Sequence, residues 1–183
     1  MTDTHAANRR EDLRLITGRG RYAADWNLPG QLYACFLRAD RAHAEITSLN
    51  IQPALARRGV VGAFTGADAV AAGYTQFPSF ANYTGRNGQP LLKPARPVLA
   101  TDKVRFVGEP VAMIVAETAA AAQDALDAIE IEYRDLPAAV TIEDALAQGA
   151  AQLHASVPGN LALERRDGGG HWSPLLGPPV VRQ

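Results

Sequence analysis

The stretch from residue 104 to residue 134 constrains the fold more than any other part of the chain. Residues 104–107 and 111–116 are rich in valine and other strand-favouring side chains, and they flank Gly108-Glu109-Pro110. Thr118 stands where a side-chain oxygen can cap a helix running to about Asp127. Beyond it Ile129, Ile131 and Tyr133 alternate with Glu130, Glu132 and Arg134, the pattern of a strand with one face buried. A strand–helix–strand unit follows, and the domain is expected to be organised around residues 107–110. Glycine permits a positive φ there and proline fixes the next φ, so the sequence predicts a bend at a strand junction with Glu109 exposed on it.

The flanking segments extend this to an α+β domain of mixed strands and short packed helices. Residues 10–30 mix charges with Leu13, Leu15, Ile16, Tyr22 and Trp26 and are broken by glycines, which predicts an irregular, partly buried lead-in. Residues 31–38 and 44–50 read as strands, although Ile46 and Leu49 do not alternate cleanly in the second. Pro53 opens a short helix that Gly59 stops, residues 60–64 form a strand, and residues 66–73 form a helical turn. Residues 74–97, with Pro78, Pro90, Pro94 and Pro97, are expected to be one long loop. Thr141 starts another short helix, which ends at Gly149.

Composition narrows the function classes. Of the 183 residues 47% are hydrophobic, enough for a core, and 18 basic against 19 acidic residues leave no charge surplus for nucleic acid or anionic membranes. Cys35 is the only cysteine, so an internal disulfide or a multi-cysteine metal site cannot form within the chain. With no apolar leader and no run of about 18 apolar residues, the expected compartment is the cytoplasm.

Few residues suggest chemistry. Thr17-Gly18-Arg19-Gly20-Arg21 offers glycines and cations to a phosphate, but no strand precedes it and Ala23 stands where a dinucleotide fingerprint has its third glycine. A structural turn or domain contact is the expected role of Gly18, Gly20 and Arg21. Glu109 is a lone carboxylate with no visible catalytic partner, so Gly108, Glu109 and Pro110 are likewise expected to be structural or domain-contact residues. His5, His43, His154 and His171 lack metal-ligand spacing, and Cys35 lies in an apolar run that predicts a small core residue. No catalytic, cofactor-binding or metal-ligating residue is assigned.

A collinear series of short segments is more informative than any one of them. It begins with Arg10-Glu11-Asp12-Leu13-Arg14-Leu15-Ile16-Thr17-Gly18-Arg19-Gly20-Arg21-Tyr22 and Leu28-Pro29-Gly30-Gln31-Leu32-Tyr33-Ala34. It continues through Ala42-His43-Ala44-Glu45-Ile46, Phe64-Thr65-Gly66-Ala67-Asp68 and Val104-Arg105-Phe106-Val107-Gly108-Glu109-Pro110-Val111-Ala112. Ala116-Glu117-Thr118, Ile131-Glu132-Tyr133, Leu136-Pro137-Ala138 and Leu153-His154 close it. In this order the segments resemble the N-terminal α/β hammerhead domain of the molybdenum-binding large subunit of xanthine dehydrogenases, aldehyde oxidases and aerobic carbon monoxide dehydrogenases.

The resemblance implies an oxidoreductase setting. Enzymes of that family hydroxylate aldehydes or nitrogen heterocycles, or oxidise carbon monoxide, at a molybdenum held by a pterin dithiolene. Electrons leave through iron–sulfur clusters to FAD on partner domains or subunits. The family's pterin-contacting segments and its active-site glutamate lie in domains that follow the hammerhead. The expected organisation is a flexible arm at residues 1–8, the hammerhead at 9–160 and a disordered or aberrant tail at 161–183. The tail opens the glycine- and proline-rich segment in which the sequence stops resembling the family. The chain is therefore expected to be a truncated large subunit, inactive alone, with the molybdenum-cofactor domain, the flavin subunit and the iron–sulfur subunit as its partners. The alternative is a stand-alone module that docks to a separately encoded molybdenum-cofactor chain.

Overall fold

A computed structural model describes residues 12–74, 76–85 and 88–164. Two three-stranded antiparallel sheets form its frame. In the first the order is β1-β5-β3, with β1 at Tyr33–Arg38, β3 at Val60–Thr65 and β5 at Pro110–Ala116. In the second it is β4-β2-β6, with β2 at Ala44–Asn50, β4 at Lys103–Val104 and β6 at Glu130–Asp135. Five short helices connect or flank them: α1 at Asp12–Ile16, α2 at Gln52–Leu55, α3 at Gly66–Ala71, α4 at Ala119–Leu126 and α5 at Ile142–Leu146. Mixed strands with short packed helices are thus observed as expected.

The expected strand–helix–strand succession is present as β5-α4-β6, and its two strands fall in different sheets. The helix between them, α4, carries the chain from one sheet to the other. Its start is fixed by Thr118, whose hydroxyl accepts the Ala121 N–H at 3.1 Å. Ala122 and Ala125 on α4 pack against Ala112, Ile114 and Ala116 of β5, and small residues on both sides let helix and sheet approach closely. Cys35 packs against this cluster, in keeping with a small core residue. A second cluster of Ala39, Ala44, Ala100, Val104 and Val111 joins the two sheets, with Val111 from β5 and Ala44 and Val104 from β2 and β4, and Leu49 touches both clusters.

The irregular pattern of β2 has a local cause. A bulge between Ile46 and Ser48 shifts the register, so Ile46 pairs with Tyr133 and Leu49 with Ile131. Two side chains three residues apart thereby reach the same apolar face. Across this pair Arg134 forms an ion pair with Glu45.

Other expectations change. The lead-in is exposed rather than partly buried, with Trp26 at 61% exposure and Leu13, Ile16 and Tyr22 also open to solvent. The run at 104–107 is not a strand beyond Val104, because Arg105 to Gly108 turn back toward β1. The loop expected at 74–97 is present among the described residues, where it doubles back as a two-armed finger. Phe77 N–H donates to Arg96 at 2.8 Å, Leu91 N–H to Tyr83 at 3.0 Å and Gly85 N–H to Gln89 at 2.7 Å. Its prolines cannot donate to the ladder, which keeps the pairing sparse and its sequence loop-like. Leu92 N–H donates to Ala162, so residues 161–164, assigned to the tail, lie against the finger. The arm at 1–8 and the rest of the tail lie outside the described residues.

Candidate functional site

A cleft edged by charged and aromatic side chains lies where β1 ends and β5 begins. Gly108 adopts φ +92°, a conformation glycine reaches without the steric cost other residues meet. This brings its N–H to Ala39 at 2.8 Å and its carbonyl to Arg38 Nη1 at 2.9 Å. Ala39 N–H donates to the Glu109 carbonyl at 2.9 Å, and Pro110 then starts β5 where a proline costs the ladder little.

Glu109 is buried, at 4% exposure, which corrects the expectation of an exposed carboxylate. The reason is a tight local ring: Arg105 N–H donates to Glu109 Oε2 at 2.6 Å, while Glu109 N–H donates to Phe106 at 3.3 Å. Burial pushes the Glu109 carboxyl above its ordinary range, against the opposing pull of that hydrogen bond and of the Arg105 charge. Arg105 is itself mostly enclosed; Nη2 lies 3.9 Å from Asp102 and Nη1 donates to Lys103 at 3.3 Å. His154 lies beside it, and burial together with the positive fields of Arg105 and His43 holds its imidazole below the usual histidine range. His43 Nδ1 is 2.7 Å from the Pro137 carbonyl. His43 Nε2 and Arg105 Nε are buried without a hydrogen-bond partner.

A cleft of about 400 Å3 opens over this group, bounded by Arg38, Phe77, Arg96, Phe106 and Glu109, among others. A neighbouring hollow of about 310 Å3 shares Arg105 and His154 with it and adds Asp102 and Ser156. The near oxygen of Glu109 is already committed to a backbone N–H, so its evident work is to fasten the 105–109 turn. Around it stand guanidinium groups and aromatic edges, an arrangement suited to contact and positioning. Among the described residues no group of three or more His, Cys, Asp or Glu side chains is placed to hold a metal ion. No helix among them is long and apolar enough to cross a membrane.

Comparison with known proteins decides the family. Residues 17–137 match the family described as aldehyde oxidase and xanthine dehydrogenase, a/b hammerhead domain. The chain belongs to this family. Relatives include the nicotine 6-hydroxylase large subunit of Paenarthrobacter nicotinovorans, 39% identical over 86% of this chain and 18% of the relative. The carbon monoxide dehydrogenase large chain of Afipia carboxidovorans is 33% identical over 80% of this chain and 17% of the relative. Among solved structures, quinoline 2-oxidoreductase from Pseudomonas putida 86 matches with a TM-score of 0.74 and 41% identity, over 85% of this chain and 19% of that one. The hammerhead chain thus spans about a fifth of the length of these relatives.

Within the hammerhead, Gly108, Glu109 and Pro110 come together with Arg38, Arg105 and His154. Gly18, Gly20 and Arg21 stand apart in the exposed lead-in, where the Arg21 guanidinium sits 5.2 Å from the Trp26 ring centroid. The sequence reading missed His43, Arg38, Arg105 and His154 as neighbours. Only the position of Arg38 at the end of an apolar strand hinted at its place, and the two histidines, 111 residues apart, carry no local signal.

Proposed function

We propose that this chain serves as the hammerhead part of a cytoplasmic molybdenum hydroxylase large subunit and has no hydroxylase activity by itself. The observation that carries this reading is the match of residues 17–137 to the hammerhead family, in relatives that are about five times longer. Several relatives are named as molybdenum-binding or molybdopterin subunits. In this reading the molybdenum–pterin cofactor and the reacting groups come from sequence beyond the hammerhead, and iron–sulfur and flavin components take the electrons. Gly108, Glu109 and Pro110 hold the turn that shapes the contact surface, and Gly18, Gly20 and Arg21 form a second contact with neighbouring domains. The finger at 74–97 borders the substrate's path. The cleft supports a contact role, since its one buried carboxyl is occupied by backbone and its volume of about 400 Å3 is bounded by side chains rather than by a glycine-rich backbone cradle. The test is metal analysis of the purified 183-residue chain with dye reduction on aldehydes and nitrogen heterocycles. The expected result is neither molybdenum nor turnover; stoichiometric molybdenum with substrate-dependent reduction would overturn the proposal.

A further inference from the structure

The sheet β1-β5-β3 has two faces of opposite fate. Ala112, Ile114 and Ala116 point toward α4 and are fully buried. The alternate residue Met113 points the other way, where it pairs laterally with Phe36 of β1 and Phe64 of β3. Phe36 is 40% exposed and Phe64 42% exposed. Gly62 lies beneath the Phe64 ring, and a Cβ there would stand only 3.0 Å from it, so the missing side chain lets the ring lie against the sheet. Together with Tyr74, Val98 and Leu99 these rings bound an apolar hollow of about 300 Å3.

Arg38 stands between this hollow and the Glu109 cleft. Arg38, two residues beyond Phe36, places its guanidinium 6.0 Å from the Phe36 ring centroid and borders the cleft with Phe77 and Phe106. The result is one surface with phenylalanine, tyrosine and methionine at its centre and arginine at its rim. That composition characterises the centre of protein interfaces, where aromatic residues, methionine and arginine are enriched.

We infer that this surface, from Phe64 and Met113 across Phe36 to Arg38 and Phe77, is where the hammerhead packs against the remainder of a large-subunit chain of its family. The inference rests on the reading under Proposed function and adds the surface to it. The occupant follows from length: the chain spans 17–19% of the large subunits it matches, so most of such a chain must be accommodated outside the hammerhead. The other face of the same sheet is already filled by α4, which leaves this one for the larger body.

The experiment grafts residues 17–137 into the large subunit of quinoline 2-oxidoreductase in place of its own matching segment, and reads assembled molybdenum enzyme and quinoline oxidation. Phe64→Glu and Met113→Lys are expected to lower the assembled yield about ten-fold or more, as loss of a central anchor does. Val140→Glu and Leu146→Glu, at exposed apolar positions elsewhere, are expected to leave it unchanged. Melting of the 183-residue chain with each substitution identifies any variant that misfolds by itself; Phe36→Ala and Phe64→Ala then replace it. Equal yields from face and control variants would overturn the inference while sparing the proposed function. Failure of the unvaried graft to assemble would instead sink the proposed function and the inference with it. Self-association of the free chain abolished by Phe64→Glu, with graft assembly unaffected, would assign the face to a second copy and also overturn the inference.

Discussion

The two faces of the sheet β1-β5-β3 are built from alternate residues of the same strands, yet only one is completed from within the described residues. On the α4 side every β5 residue meets a small helix side chain and is sealed from water. On the other side larger rings stand in the open, flanked by the finger and by Arg38. The burial of Ile114 serves folding, and the exposure of Phe36 and Phe64 costs the free chain a share of the hydrophobic stabilisation that a covering partner returns. Stability and association are thus assigned to opposite sides of one strand.

The largest test of that division is Ile114→Ala, which is expected to cost about 2–5 kcal/mol in urea unfolding because it opens a cavity in the sealed face. Next is Glu109→Ala, expected to cost about 1–3 kcal/mol by leaving the Arg105 N–H without an acceptor, whereas Glu109→Gln keeps an oxygen there and stays near the parent. Thr118→Ala removes the α4 cap and is expected to cost about 1 kcal/mol. Phe64→Ala on the open face is expected to change the free chain by only about 0.5 kcal/mol. A loss matching that of Ile114→Ala would erase the distinction between the faces.

The pH dependence sharpens the cleft's part in the comparison. Glu109 has a raised carboxyl, so the folded state holds its proton more tightly than the unfolded state; its contribution is present at low pH and is lost as pH rises through the folded value. His154 has a lowered imidazole, so its contribution is present above the ordinary histidine range and is lost as pH falls through that range. Unfolding midpoints measured across pH are expected to lose the first trend in Glu109→Gln and the second in His154→Gln. Unchanged profiles in these variants would place the titrating groups elsewhere.

Much of the frame was legible because local rules governed it. Thr118 and Thr141 each cap a helix as their positions suggested, and the alternation of Ile131 and Tyr133 gave β6 its face. Gly108-Glu109-Pro110 was legible as a bend, since its conformational demands are local. The burial of Glu109 was not, because its enclosure depends on β1 and the finger returning to the same place from distant parts of the chain. Nor was the bulge that lets Ile46 and Leu49 share a face, for register is a property of two strands. The pairing of His43 with Pro137 spans 94 residues and left no trace in spacing.

The most direct test of the account is carbene footprinting of the two sheet faces, in the free chain and in the grafted large subunit. Phe36, Phe64 and Met113 are expected to be labelled in the free chain and protected in the assembled enzyme, while Ile114 is protected in both. Equal labelling of the three open-face residues in both states would contradict the assignment of that face to the rest of the large subunit.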